Sequence, residues 1–434
     1  MHRMLHLWRG RLYYGWVLLG AVSVTEVISW GILYYAFTVF IAPMQADLGW
    51  SREALTGAYS LALLCSGLAA VPVGRWLDRH GPRALMTAGS CLGSLLLVAW
   101  SQVTTLWSFY LIMAGIGLVM ATNLYEPAFA LIATWFRRRR GRALTILTFF
   151  GAWASFVFIP LSAQLVLRYG WRAALLILAI ILAGITIPLH ALALRRSPED
   201  LGLRPDGGAA DESVPVVSEP PDAQVPLRAA LHEADFWWFT AAFAVSTFAT
   251  VALTVHLIPY LTEQGVSAAS AASVAGLFGL MSVAGRLIIG PLGDRYPRQV
   301  VTAGLMGMQA LGVVVLVLSP TTPGAVVSIA LFGAGSGTLT IMRAALLAER
   351  YGSAHYGSIN GAMSFWLTMA RTLAPISAAL LAGHFGGYRR LLWTMVVLTT
   401  LGGMAVLQIG RPSAAASRAL PSRATRDDER VRQK

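Results

Sequence analysis

Apolar runs of about twenty residues recur twelve times along the chain, parted by short polar or glycine-containing breaks. A helix crossing the hydrocarbon core of a bilayer needs about 20 such residues. The pattern therefore predicts spanning helices at 16–41, 54–76, 84–101, 106–134, 143–167, 173–194, 237–261, 270–290, 300–318, 324–347, 357–383 and 391–410. The first run is too long for a signal-peptide core, and no small-residue cleavage site follows it. It is expected to remain as a span. The fold class predicted is an all-α membrane protein of twelve transmembrane helices.

Composition narrows this further. The 434 residues are 56% hydrophobic and 12% charged, with a mean hydropathy of +0.63. Soluble domains carry about 25% charged residues, so an ordinary water-soluble enzyme is excluded. The apolar fraction also excludes disorder. The net charge of +13 raises nucleic-acid binding, but the positions of the cations answer it. Of 33 basic residues, 25 fall in the termini and in the loops on the same side as the termini, and five (Arg52, Arg168, Arg172, Arg389, Arg390) in the opposite loops. That bias places both termini in the cytoplasm by the positive-inside rule. The run Arg137–Arg140 is then a cytoplasmic loop, with no soluble domain to present it to nucleic acid. The only lysine is Lys434, and the two cysteines, Cys65 and Cys91, lie in apolar runs. They offer no disulfide framework and no metal spacing. No cofactor or metal site is expected.

The chain resembles itself at one fixed offset, just under half its length. Gly74, Asp78, Arg79 and Arg83, with Gly81 between them, follow the second span. Gly290, Asp294, Arg295 and Arg298 follow the eighth, with Pro297 in place of the second glycine. Pro43, Gly49 and Ser51 match Pro259, Gly265 and Ser267 at the same offset as Asp78 and Asp294. Gly170 to Arg172 match Gly387 to Arg389 one position further on. The predicted organisation is a six-helix half at 1–194, a cytoplasmic linker at 195–235, a second six-helix half at 236–410 and a disordered cytoplasmic tail at 411–434. The linker is Pro-rich and acidic, as flexible connections are. Residues 226–235 read as a short surface helix.

Two parallel six-helix repeats, each with an Asp-Arg loop after its second helix, resemble the major facilitator superfamily, whose loop motif is Gly-x-x-x-Asp-Arg-x-Gly-x-Arg. The resemblance covers nearly the whole chain and implies substrate binding near the midplane between the halves, with rocking access. Asp78 and Arg79 sit at a helix end, where charge pairs made in one state and broken in the other would gate that side. A sharp turn carrying topology charges is the plainer account of the same residues.

Several local features are similar to the bacterial branch of the monocarboxylate and oxalate–formate transporters: Tyr14 to Trp16, Leu48 to Ser51, Asn123 to Tyr125, Gly285-Arg286, Gly357 to Gly361, and Ser197 to Gly207. Arginine inside a span is costly, about 2.5–3.5 kcal/mol on insertion scales, and is usually kept for function. Arg286 lies a few residues past the middle of the eighth span and Arg371 near the middle of the eleventh. Two guanidiniums facing one cavity suit carboxylates. The resemblance implies that Arg286 holds the substrate carboxylate and that Arg371 stands where the oxalate branch has a lysine. Arg371 paired with Glu26 or Glu126 is the structural alternative. Arg343, near the end of the tenth span, is expected to snorkel or to pair with Glu349.

Many monocarboxylate relatives carry an acid one turn before the span-8 arginine. Here that position is Ser282, so coupling to protons is assigned instead to Glu26, with Glu126 as a second acid. Asn123 and Tyr125 correspond to residues that contact the carboxylate in a bacterial lactate-transporter relative. Two residues apart, they cannot share one face of a regular helix, whereas Asn123 and Glu126 can. Tyr34, Tyr35 and Trp366 are further candidates to line the cavity, and His256 is expected to make a polar contact rather than shuttle protons.

The resulting reading is a secondary transporter of small organic anions, such as lactate or pyruvate, with proton linkage expected, in a bacterial inner membrane and working as a monomer. The bilayer, the anion and protons are its expected partners. A dicarboxylate/monocarboxylate antiporter and a drug–proton exporter are the alternatives. Pro160 lacks the preceding glycine of the exporter signature, and two arginines suit cationic drugs poorly. A transporter-like sensor finds no signalling domain, and an enzyme finds no nucleotide loop, metal cluster or nucleophile–base pair.

Overall fold

A computed structural model describes residues 13–207, 225–384 and 387–409. The predicted tail at 411–434 and the centre of the linker lie outside the described residues. Everything described is helix, turn or loop, with no strand among the described residues.

The helices follow the predicted runs. They are α1 (Tyr14–Ser29), which continues through a wide π-type turn at Trp30–Tyr35 into α2 (Phe37–Leu48), then α3 (Arg52–His80), α4 (Pro82–Ser101), α5 (Leu106–Asn123) and α6 (Tyr125–Trp135). After these come α7 (Arg140–Ile181), α8 (Ile187–Ala193), α9 (Leu227–His232), α10 (Ala234–Glu263), α11 (Ala268–Ile288), α12 (Arg298–Leu318), α13 (Thr322–Tyr351), α14 (Tyr356–His384) and α15 (Tyr388–Val406). Among the described residues, nine helical segments are long and apolar enough to cross a membrane. The runs predicted at 143–167 and 173–194 belong to one such segment, Arg140–Ala193, because only a single residue separates them. That residue is Gly170, at φ 78° and ψ 164°. Without a Cβ it turns the chain back between two helices.

Side chains fix where helices begin. Ser51 and Ser267 accept the amides of Ala54 and Ser270, and Thr105 and Thr321 accept those of Ser108 and Gly324. Each is an N-cap that satisfies one orphan donor of its helix. The members of each pair stand at the offset that also relates Asp78 to Asp294.

The span predicted at 106–134 is broken. Leu124 is extended, at φ −98° and ψ −162°, and α5 and α6 meet there. Pro127 supplies no amide to a continuing helix. The break leaves the first turn of α6 in the middle of the bundle.

Three apolar clusters hold the bundle. One draws only on residues between Ile28 and Leu182, and a second only on residues between Ala249 and Met395. The third mixes both parts of the chain, including Trp135, Phe136, Leu144, Phe236, Ile341, Tyr351 and Tyr356. The bundle is thus closed at the end carrying Asp78 and the linker, hereafter the motif end, and divided at the other. At the closed end α3 lies along α14. A Cβ on Gly74 would collide with the Gly357 carbonyl, and one on Gly361 with that of Ala70. Small residues bring helices together in lipid, where apolar burial alone gives little drive. Large apolar side chains such as Trp107, Leu167, Ile180 and Ile288 stay exposed on the outer surface, as a bilayer-embedded protein requires.

The linker is tied down where it is described. Ser197 and Asp200 form a reciprocal cap on the turn Pro198–Leu201. The Asp206 carboxylate accepts the amides of Arg137, Arg138 and Arg139, ahead of α7. Residues 226–235 contain the expected short helix, α9, which ends before α10 begins.

Candidate functional site

A cavity of about 260 Å³ lies between the two parts of the chain. It suits a ligand of a few heavy atoms, being just below the range usual for drug-sized molecules. A larger cavity, about 420 Å³, lies at the motif end between α6 and the linker. Its charged lining is Asp78, Glu199 and Asp200 against Arg196, so it gathers no excess of cations. The central cavity does.

Three arginines line the central cavity, and each is held differently. Arg286, on α11, donates from Nε to the Gly337 carbonyl at 3.1 Å and from Nη1 to the Thr148 carbonyl at 2.9 Å. Carbonyls orient a guanidinium without cancelling its charge, and part of its donor fork remains for a ligand. Arg371, on α14, is half-buried and has no ion pair or hydrogen bond with the described residues. Arg343, on α13, is neutralised: its Nη2 lies 3.7 Å from the Glu126 carboxylate, and Ser364 bridges the two, accepting from Arg343 at 3.2 Å and donating to Glu126 at 3.0 Å. The cavity therefore presents two uncompensated guanidiniums.

This corrects two sequence expectations. Glu126 partners Arg343 rather than Arg371, and Glu349 partners Arg298 at 2.9 Å. Arg343 is also buried on the cavity rather than snorkelling. The pairing joins α6, ahead of the linker, to α13 and α14 beyond it, a separation no local pattern reveals.

Other candidates divide cleanly. Tyr34 and Tyr125 line the cavity, together with Trp30. Tyr125 stacks on Phe129 at 5.1 Å and meets the Trp30 ring at 4.9 Å. Tyr35 is off the lining. Asn123 is turned away: its amide nitrogen donates to Ser90 Oγ at 2.8 Å and the Met86 carbonyl at 3.1 Å, and its oxygen accepts from Thr122. It is a buried bridge between α4 and α5 that also reaches His190 through Ser90. The break at Leu124 is the reason that Asn123 and its neighbours Tyr125 and Glu126 face different ways. Trp366 is 44% exposed and packs beside Trp237 on the outer surface. His256 contacts the Tyr388 hydroxyl at 3.2 Å and the Pro375 carbonyl at 3.1 Å.

Glu26 is fully buried, and neither carboxylate oxygen has a hydrogen-bond partner among the described residues. Trp30, one turn further along and on the cavity wall, also leaves its indole N–H unpartnered. Ser282, one turn before Arg286, is buried, and its hydroxyl has no hydrogen-bond partner among the described residues.

At the motif end the Asp78 carboxylate accepts the amides of Gly357 at 2.7 Å and Ser358 at 2.9 Å. Gly81, at φ 77°, packs against the Arg196 side chain. Arg79 and Arg83 are exposed, without an ion pair among the described residues. In the second loop, Gly290–Asp294 forms a short 3₁₀ turn, Gly290 is buried near Thr145, and Arg295 is exposed.

One group of cavity residues has no counterpart among the sequence candidates. Ser246 and Thr250 on α10 and Ser336 on α13 converge on Gln309 of α12, which is fully buried. Gln309 accepts from Ser246 at 2.9 Å and donates to Ser336 at 2.7 Å. Gln309 is the only amide side chain in its apolar run, and Ser246 and Thr250 are one turn apart. Those were the available signals.

The architecture and the loop motif meet a single family profile, described as Major Facilitator Superfamily, which matches residues 22–375 and again 248–429. The chain belongs to the major facilitator superfamily. It is a multi-pass membrane transporter, not an enzyme. Monocarboxylate transporter 13 of Bos taurus is 27% identical over 347 residues, 78% of this chain and 76% of that protein. Monocarboxylate transporter 11 of Homo sapiens is 30% identical over 333 residues, 72% of this chain and 63% of that protein. The uncharacterized MFS-type transporter YcxA of Bacillus subtilis is 25% identical over 386 residues, 86% of this chain and 90% of that protein. Among solved structures, the facilitator FucP in the outward conformation superposes with a TM-score of 0.72 at 12% identity, over 92% of this chain and 100% of that one. A bacterial homologue of the iron transporter ferroportin, in an outward-facing state, gives 0.71 at 13% identity, over 92% and 100%. At such identities these two speak for the fold alone.

Proposed function

We propose that this facilitator carries small organic anions, monocarboxylates foremost, by alternating access driven by a proton or exchange gradient. The observation that carries the reading is the pair of cavity arginines, Arg286 and Arg371, neither matched by a carboxylate of the described residues. Arg286 would take the carboxylate, with Tyr34 and Tyr125 enclosing it. Monocarboxylate transporters among the relatives support that substrate class. A hydrophobic cation would meet uncompensated positive charge here, which disfavours drug export.

The nine long apolar segments become twelve spans if Arg140–Ala193 divides at Gly170 and if α14 and α15 also cross. Two six-helix halves, 1–194 and 236–410, joined by the linker at 195–235, account for the shared offset of the Ser51/Ser267 and Thr105/Thr321 caps. The arginine bias assigns the motif end, both termini and the tail at 411–434 to the cytoplasm of a bacterial inner membrane. The closed motif end then corresponds to an outward-facing state. Asp78, with Gly74 and Gly81, is the lock of that end. Arg79, Arg83 and the second loop around Gly290, Asp294 and Arg295 act in the opposite state. Coupling runs through Glu26, with Glu126 as the acid exposed to the cavity. The transporter works as a monomer.

A dicarboxylate exchanger is the second reading, favoured by Arg371 having no partner of its own.

The test is uptake into reconstituted vesicles across mono- and dicarboxylates, with and without a pH gradient. Arg286→Ala should lower apparent affinity about 30-fold or more, since removing one member of a buried charge pair costs about 2 kcal/mol or more. Because Arg286 also tethers α11 to the Thr148 carbonyl, Arg286→Lys serves beside it. A cationic or sugar substrate handled normally by both variants would overturn the reading.

A further inference from the structure

The hydroxyls around Gln309 leave a definite hydrogen-bonding remainder, and counting protons defines it. The Thr250 hydroxyl donates to the Ser246 carbonyl at 2.8 Å. It therefore has no proton left for Gln309 and can only accept from that amide, at 3.4 Å. Ser336 accepts from the same nitrogen at 2.7 Å, and Ser246 donates to the amide oxygen at 2.9 Å. With the amide turned the other way, Thr250 and the glutamine oxygen would face each other without a proton between them. The bond from Thr250 to the Ser246 carbonyl therefore favours the first orientation.

On the cavity side one proton and one acceptor position face each other, beside a second lone pair of Ser336. Ser336 retains its own proton, and Thr250 retains one lone pair, with the oxygens 3.2 Å apart. Left to themselves, they satisfy each other through a long bond. A carboxylate oxygen only accepts, so it would take the Ser336 proton and strand Thr250. A ligand hydroxyl does both at once, accepting from Ser336 and donating to Thr250. The residue after Ser336 is Gly337, whose carbonyl holds Arg286. Thr250, Ser336 and Arg286 thus line one cavity from three helices, α10, α13 and α11.

We propose that Thr250 and Ser336, set by the buried Gln309, form a hydroxyl-recognising subsite beside Arg286, so that the transporter prefers hydroxycarboxylates to analogues with the hydroxyl removed or oxidised. This rests on the anion-transport reading and deepens it. A site built around a substrate hydroxyl discriminates because its polar groups stay unpaired when the hydroxyl is missing. A keto oxygen accepts from Ser336 but offers Thr250 nothing.

The test measures half-saturation in proteoliposomes for lactate, propionate and pyruvate, and for malate against succinate. Wild-type protein should favour each hydroxy acid over its deoxy analogue by about 10-fold or more. Thr250→Val, which keeps the shape of the side chain, and Ser336→Ala should each reduce that ratio to about twofold or less. Gln309→Leu should do the same, and thermal melting of each variant shows whether it is folded. Wild-type ratios within twofold would overturn the subsite while leaving anion transport standing. An undiminished ratio in folded Thr250→Val and Ser336→Ala would overturn the assignment to these residues. Failure to carry any of the five acids would sink the anion reading and the subsite with it.

Discussion

Asp78 closes the N-terminus of α14: its two carboxylate oxygens receive the Gly357 and Ser358 amides, one each, at 2.7 and 2.9 Å. The bond joins a helix that precedes the linker to one that follows it. A carboxylate at a helix N-terminus meets both unpaired amides and the positive end of the dipole. Hydrogen bonds to charged groups are worth about 1.5–3 kcal/mol each. Asp78→Asn keeps the shape but gives up the charge and one acceptor. It should open the motif end about 10-fold more often, a change of about 1.4 kcal/mol. A cysteine placed at Thr134, on the motif-end cavity, in a background of Cys65→Ser and Cys91→Ser, reads this out with a membrane-impermeant thiol reagent. Equal labelling rates with and without the Asp78→Asn substitution would show that the contact holds nothing shut.

Gly361 makes the second prediction. Its missing side chain lets α14 approach the Ala70 carbonyl, and backbone cannot swing aside as a flexible side chain can. Gly361→Ala should force α3 and α14 apart, raise labelling at the motif end and slow transport. Gly276→Ala is the control, since a Cβ there meets no atom within 4 Å. Equal effects of the two substitutions would count against a helix contact built on close approach.

Much of this was legible in the sequence, and the rest was not for identifiable reasons. Apolar runs announced the helices because the bilayer demands continuous hydrophobic length. The residues of the Asp78 loop were legible through their spacing, and Arg286 through its charge inside an apolar run, although α11 carries it in its last turn rather than at mid-span. What the sequence left hidden are relations across space. Helical periodicity fixes the angle between Asn123 and Tyr125 only while the helix is regular, and the extended Leu124 resets it. Glu126 had several arginines within its reach in the one-dimensional record, and its actual partner, Arg343, stands far along the chain, beyond the linker. Trp366 shares its helix with Arg371 but points outward, a matter of which face α14 gives to α10 and α3. The hydroxyls about Gln309 carry no charge, so only the lone amide in its apolar run and the one-turn spacing of Ser246 and Thr250 set them apart from ordinary helix-packing serines and threonines.

Asn123 offers a direct comparison of the two kinds of evidence. Family resemblance makes it a substrate ligand, whereas its side chain bridges Ser90, Met86 and Thr122 away from the cavity. Asn123→Ala should cost about 1–3 kcal/mol, the penalty for leaving buried polar groups unpaired. The thermal midpoint in detergent should fall while half-saturation of the folded protein stays near wild type. A large rise in half-saturation without loss of stability would return Asn123 to the binding site.

Glu126 and Arg343 should behave as a unit. Arg343 is the more buried partner, at 9% side-chain exposure against 31% for Glu126. Glu126→Gln leaves that guanidinium without its counter-charge on the cavity wall. Breaking one member of a buried pair is worse than removing both. Glu126→Gln and Arg343→Met should therefore each destabilise the protein more than their combination, and a double-mutant cycle on thermal midpoints measures the coupling. Additive effects would mean that the two side chains do not interact.

Glu26 provides the test of energy coupling. It is fully buried, with both oxygens unpartnered and no cation bonded to it among the described residues. An ionised carboxylate in such surroundings is costly, so charge on Glu26 is tolerable only when the site rearranges to solvate or pair it. Trp30, with its own free N–H, stands one turn away on the cavity wall. Glu26→Gln fixes the neutral form in nearly the same volume. It should abolish accumulation driven by a pH gradient while sparing counterflow exchange, in which substrate enters and leaves without net proton movement. Both are measured in the same vesicles, so a folding defect would depress the two together. Gradient-driven uptake at wild-type levels in Glu26→Gln would remove Glu26 from the coupling path and leave Glu126 as the cavity's own acid to carry it.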